Sequence, residues 1–159
     1  GPAARRELSA AALAEVGLAT DSLDRYPHQF SGGQRQRIAI ARALVCQPVL
    51  LVCDEAVSAL DAHHRAEILA LLARLKRDRG LAMLFITHDF NAARALADRI
   101  AVMDQGRLVE QGPAEQVLSR PGHPATRARG SGARAAGAGA HGPGRTPACG
   151  GLRPARRRR

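Results

Sequence analysis

An unbroken apolar run, Val49-Leu50-Leu51-Val52-Cys53, is closed by two adjacent acids, Asp54-Glu55. A run without polar alternation suits a parallel strand covered on both faces, because a half-exposed strand would alternate. A second run, Leu81 to Ile86, ends in Thr87-His88-Asp89. Between the two lies a helical pattern over 62–79, with Ile68, Leu69, Leu71, Leu72 and Leu75 as its buried stripe. Asp61 can cap that helix, and Gly80 stands where a C′ glycine belongs. Strand, helix and strand in this order predict an α/β fold with a mostly parallel sheet. Aromatic residues are only 3% of the chain and tryptophan is absent, so the core must be built from Leu, Ile, Val and Ala.

The same reading extends along the rest of the chain. Leu8, Ala11, Ala12 and Val16 recur at helical spacing over 5–16, and Gly17 stops that helix. A polar turn-rich stretch, Asp21 to Pro27, leads to Ser31-Gly32-Gly33 and a helix over 34–46, with Ile38, Ala41 and Leu44 on one face and Pro48 beyond its end. After the second strand come a helix over 90–97 and a hairpin, 100–103 and 108–111, turning at Asp104-Gln105-Gly106. Pro113 opens a last short helix over 113–118.

Composition changes sharply near residue 126. All 14 acids and 15 of the 24 basic residues lie before that point, so residues 1–126 are nearly neutral, whereas 127–159 hold nine arginines and no acid. The net charge of +10 thus belongs to a tail of Arg, Gly, Ala and Pro, whose only large aliphatic residue is Leu152. Such a stretch buries too little apolar surface to offset chain entropy and is expected to be disordered.

Four short segments have the chemistry of a phosphate site, and each also has a plain structural reading. Ser31-Gly32-Gly33-Gln34 opens a helix, where unpaired N–H groups and the dipole favour an anion; an ordinary glycine-rich turn would look the same. Asp54 and Glu55 sit at the C-terminal end of a strand, where α/β folds bind ligands, and two acids there also make a surface turn. Ser58-Ala59-Leu60-Asp61 precedes a helix that Asp61 caps regardless. His88 ends the second strand at the same edge as Asp54.

Taken together these segments resemble the ABC ATPase family. Phe30-Ser31-Gly32-Gly33-Gln34-Arg35-Gln36-Arg37 is similar to its signature motif, and Leu50–Glu55 to Walker B with the catalytic glutamate. Ser58-Ala59-Leu60-Asp61 resembles the D-loop and Ile86-Thr87-His88-Asp89 the switch-histidine segment. Phe30 and Ala56 depart from the usual Leu and Pro without removing a functional group. The resemblance implies a partial P-loop NTPase-like domain, with part of the helical (signature) subdomain over 1–46, the C-terminal part of the ATPase core over 47–126, and the disordered tail. It implies ATP and Mg²⁺ as cofactors, with Asp54 serving the metal, directly or through water. Glu55 would serve the attacking water and His88 the γ-phosphate. Ser31, Gly32, Gly33 and Gln34 would meet the γ-phosphate held by a second ATPase subunit, with Ser58 and Asp61 in the D-loop communicating across that dimer.

Tyr26-Pro27-His28-Gln29 and Arg120-Pro121-Gly122-His123-Pro124, with Thr126, resemble the oligopeptide and dipeptide importer subclass, although Ala125 replaces its usual Tyr. That resemblance implies permease subunits and, indirectly, a solute-binding protein as partners, and a peripheral place on the cytoplasmic face of the membrane. It ends abruptly at 126, as a reading-frame shift in GC-rich coding DNA would produce. No Gly-x-x-x-x-Gly-Lys-Ser/Thr occurs, and the only lysine, Lys76, lies mid-helix where a solvated surface role is expected. A fragment is therefore expected: one that binds ATP poorly by itself and exposes sheet edges. Cys46, Cys53 and Cys149 show no metal or disulfide spacing and read as small buried hydrophobes of a reducing cytosol. Two other readings remain open: a soluble non-transport ABC ATPase, and a non-enzymatic module gripping a polyanion through its basic tail, for which no specific nucleic acid is expected.

Overall fold

A computed structural model describes residues 1–137. The elements are α1 (Pro2–Glu15), α2 (Gly32–Leu44), β1 (Leu50–Asp54), α3 (Ala62–Arg79), β2 (Ala82–Ile86), α4 (Phe90–Leu96), β3 (Arg99–Asp104), β4 (Arg107–Pro113), α5 (Ala114–Ser119) and α6 (Pro124–Gly137), with two short 3₁₀ turns between α1 and α2. The strands form two separate pairs. β1 and β2 are parallel, with Leu50 opposite Ala82 and Asp54 opposite Ile86, and β3 and β4 form an antiparallel hairpin. The α/β reading holds, with parallel pairing confined to β1 and β2 among the described residues.

α3 is the central crossover. Asp61 Oδ1 accepts from the His64 amide at 3.0 Å, and Gly80 closes the helix in the left-handed conformation at φ 60°. Its stripe of Ile68, Leu71, Leu72 and Leu75 joins Leu13 and Val16 of the α1 segment, Ile40 and Leu44 of α2, Leu51 and Cys53 of β1, and Ala92 and Leu96 of α4 in one core. Each fully buried Leu or Ile of this set contributes on the order of 1.5–3 kcal/mol. Arg79 forks onto the Glu15 carboxylate at 2.5 and 2.6 Å, fixing the end of α3 to α1.

Three expectations are corrected by this packing. The apolar strands are covered on one face only: Leu51 and Cys53 are buried, but Leu50, Val52, Leu84 and Ile86 are 51%, 54%, 51% and 45% exposed. Helices pack from a single side, so the alternating positions face out. Lys76 is not free in solvent; its Nζ donates to Asp98 Oδ2 at 2.6 Å and to the Leu96 carbonyl at 3.0 Å, because the stripe turns this face of α3 towards the end of α4. Cys46 is exposed, since α2 ends at Leu44 and the chain turns outward, whereas Cys53 is buried and its thiol is pushed up to about 11 by desolvation.

A second, smaller core joins Ile100 and Val102 of β3 to Ala114, Val117 and Leu118 of α5. The hairpin turns through Gln105 and Gly106, both at positive φ (47° and 75°), as a two-residue turn requires. The expectation of disorder from residue 127 is also corrected over 127–137, which continue α6. Alanine and arginine favour helix, Pro124 stands in its first turn, and the fully buried Thr126 anchors it. A Cβ on Gly130 would lie 3.8 Å from the Phe90 ring, so α6 runs beside α4. The remainder of the basic tail, 138–159 with Cys149, lies outside the described residues.

Candidate functional site

The two carboxylates leave the sheet differently. Asp54 is the last residue of β1 and is exposed beside the end of β2. Glu55 donates its amide to the Ile86 carbonyl at 3.0 Å and then adopts φ 48°, a left-handed conformation unfavourable by about 1–2 kcal/mol for a residue with a Cβ. That turn ends the strand and brings the Glu55 carboxylate to His88, whose Nδ1 lies 2.9 Å from Oε1. Both side chains remain solvent-accessible, so the pair is open to a ligand. An imidazole bonded to a carboxylate through Nδ1 presents Nε2 outward.

The loop from Glu55 to Asp61 folds back on itself. The Ser58 amide and hydroxyl both donate to the Glu55 carbonyl, at 3.1 and 2.9 Å. Asp61 caps α3 through Oδ1, and its Oδ2 meets His64 Nδ1 at 2.7 Å. The His64 amide and ring together hold the Asp61 carboxyl below the usual carboxylate range. Asp89 in turn caps α4, accepting from the Asn91 amide at 2.8 Å, while the Thr87 hydroxyl accepts from the Asp89 amide at 3.0 Å.

Ser31 begins α2 with a reciprocal capping box. Its hydroxyl accepts from the Gln34 amide at 3.2 Å and its own amide donates to Gln34 Oε1 at 3.0 Å. The turn is braced from behind, where Arg35 Nε donates to the Phe30 carbonyl at 3.0 Å and Arg25 lies over the Phe30 ring at 4.5 Å. Gly32 and Gly33 form the first turn of the helix. A Cβ on Gly33 would lie 2.6 Å from His64 Cδ2, so the absence of a side chain lets α2 approach α3.

The structure therefore gathers the sequence-derived residues into two groups. Asp54, Glu55 and His88 share the strand ends; Ser31, Gly32, Gly33 and Gln34 sit with Asp61 across the start of α3. Arg65 links them, donating to the Leu60 carbonyl at 3.1 Å and to Asp89 Oδ2 at 3.3 Å. Sequence reasoning missed Arg65 and His64. The spacing Asp61-x-x-His64 placed His64 at the amide that an N-cap serves, and Ser31-x-x-Gln34 is a legible capping box; neither pattern announces a tertiary contact.

Among the described residues, no three His, Cys, Asp or Glu side chains gather into a full metal site. A single exposed carboxylate, Asp54, fits Mg²⁺, which keeps several waters and takes phosphate oxygens rather than an all-protein cage.

Known proteins resemble this chain over part of their length. Residues 3–58 match the family model described as ABC transporter. Solved ATPase structures of the same kind superpose on the chain. The ATP-binding cassette MJ0796, in a dimeric post-hydrolysis state bound to ADP and Pi, is 32% identical with a TM-score of 0.62, over 72% of this chain and 49% of that one. CbiO1 from Clostridium perfringens, part of the ABC transporter complex cbiONQ, is 31% identical with a TM-score of 0.66, over 76% of this chain and 47% of that one. The chain is thus similar to ATP-binding cassettes of ABC transporters over about three quarters of its own length.

It is also similar to ATP-binding subunits of peptide transport. It is 49% identical over 124 residues to the dipeptide transport ATP-binding protein DppF of Escherichia coli K12, covering 78% of this chain and 37% of that protein. It is 50% identical over 122 residues to the oligopeptide transport ATP-binding protein OppF of Streptococcus pyogenes serotype M1, covering 77% and 40%. The chain thus spans about two fifths of the length of these relatives.

Proposed function

We propose that these residues form the hydrolysis-side half of an ATP site in an ABC importer ATPase that drives uptake of dipeptides or oligopeptides. The observation that carries the reading is the 2.9 Å contact between Glu55 and His88 at the ends of β1 and β2. Glu55 is placed to accept a proton from the attacking water, and His88 holds that carboxylate in position while turning Nε2 to a terminal phosphoryl oxygen. Mg²⁺, when bound by Asp54, supplies charge neutralisation at the phosphates. The Ser31 hydroxyl and the free N–H groups of the first turn of α2 are suited to the γ-phosphate of a nucleotide held mainly by a second subunit.

That arrangement assigns the P-loop contacts to a segment outside this sequence. Permease subunits and a solute-binding protein are the partners it implies. Among the described residues no helix is long and apolar enough to cross a membrane, and the proposed place is peripheral, at the inner face. In a domain completed with a P-loop segment, Glu55→Gln is expected to lower the rate of ATP hydrolysis by about 10²–10⁴-fold while leaving nucleotide binding intact. Near-normal turnover by that variant would remove Glu55 from the mechanism.

A further inference from the structure

His64 has no part in the reading above, yet it touches two of its motifs at once. Its amide and Nδ1 occupy both oxygens of Asp61, at 3.0 and 2.7 Å. The opposite edge of the same ring, at Cδ2, lies where a side chain on Gly33 would have to go. The neighbouring His63 is much more exposed and turns to Glu67 at 3.5 Å, and Glu67 also meets Arg37 of α2 at 3.3 Å. Among His63, Glu67, Arg37 and Asp61, only Asp61 bonds the His64 ring.

We propose that His64 is a positioning residue that joins the loop ending at Asp61 to the phosphate-facing turn at Ser31–Gln34, so that the two move as one unit. The proposal rests on the functional reading of that turn for its purpose, but the coupling is a property of the nucleotide-free chain. A rigid five-membered ring with one donor fixed on a carboxylate leaves its far edge a defined wall, and α2 can approach it only because Gly33 lacks a Cβ. Asp61 with both oxygens turned inward fixes that ring, and through it the distance of the α2 N-terminus from α3.

The test uses the ¹⁵N-labelled 159-residue chain without nucleotide, read by NMR and by urea unfolding. In the wild type, the His64 Nδ1–H is expected as a downfield, slowly exchanging signal. His64→Leu keeps bulk but removes the donor; it is expected to shift the Ser31, Gly33 and Gln34 amides and to speed exchange of the Gln34 amide by about tenfold, the equivalent of one hydrogen bond. His64→Asn, which retains a donor at the Nδ1 position, should restore both. Should His64→Leu fail to fold, Gly33→Ala provides a second route: its loss of urea midpoint should be smaller in a His64→Ala background than in the wild type. Unchanged Ser31–Gln34 amides in His64→Leu, no rescue by His64→Asn, or additive effects of Gly33→Ala and His64→Ala would each overturn the coupling. Because no ATP is present, failure of ATP handling would leave this result standing, and the reverse holds equally.

Discussion

The parallel pair β1–β2 and the hairpin β3–β4 are of similar length but differ in how they are held. The hairpin is closed by two residues, Gln105 and Gly106, and backed by α5 and part of α4 in its own small core. The parallel pair needs the 18-residue crossover α3 to exist, and its outward face leaves Leu50, Val52, Leu84 and Ile86 exposed. Local contacts close a hairpin with little loop entropy, whereas parallel strands depend on distant packing. The proposed catalytic pair sits on the dependent element. Glu55 and His88 meet only because α3 holds the two strands in register.

The largest expected break in this contrast is at Leu72, which is fully buried in the crossover helix. Leu72→Ala should reduce stability by about 2–5 kcal/mol, read from urea unfolding, and loosen β1–β2 in hydrogen exchange before the hairpin. A smaller effect is expected at the hairpin turn. Gly106→Ala forces a Cβ into a left-handed conformation, a loss of about 1–2 kcal/mol, with exchange rising in β3 and β4 and the Glu55–His88 contact unchanged.

A pH effect distinguishes the segment after the hairpin. Glu110 of β4 accepts from the Gly122 and His123 amides at 2.8 and 3.1 Å, and the buried Thr126 hydroxyl lies alongside without full hydrogen-bond geometry. Thr126 first, then these two amides, hold its carboxyl below the ordinary 4.5. A depressed folded value means that the stabilisation is complete above 4.5 and is lost as pH falls through the lower, folded value. Protection of the α6 amides should therefore drop in acid, and Glu110→Gln should be weaker at neutral pH with a flatter profile. The smallest effect belongs to the exposed face, where Val52→Lys should change the stability of this chain by no more than about 0.5 kcal/mol. A large loss there would mean that this face is covered in solution.

Much of this contrast was legible in the sequence. Asp61 and Gly80 bound α3 at both ends as capping chemistry dictates, and Gly106 marked the hairpin turn. The order of Ser31, Asp54, Glu55, Asp61 and His88 marked the proposed site because those residues stand at helix starts and strand ends, positions that local signals locate. What stayed hidden was tertiary. An apolar run does not say whether one face or both will be covered, so Leu50 and Val52 were misjudged. Lys76, Arg65 and His64 carry no local signal of the carbonyls and carboxylates that they reach from α3. α6 ran past 126 because Ala and Arg satisfy helix propensity even where few apolar residues remain.

In the proposed dimer the Ser31–Gln34 turn serves the site of one subunit while Glu55 and His88 serve the other. Mixing two inactive subunits, each completed with a P-loop segment, separates action across the dimer from action within one subunit. One carries Glu55→Gln and the other Gly33→Asp, and ATP hydrolysis of the mixed dimer is measured. Action across the dimer places both lesions in one site and leaves the second whole, so the mixed dimer, isolated from either parent, should regain up to about half of the wild-type rate, as one intact site of two supplies. A mixed dimer as inactive as either parent would mean that the turn and the Glu55–His88 pair do not meet across the interface.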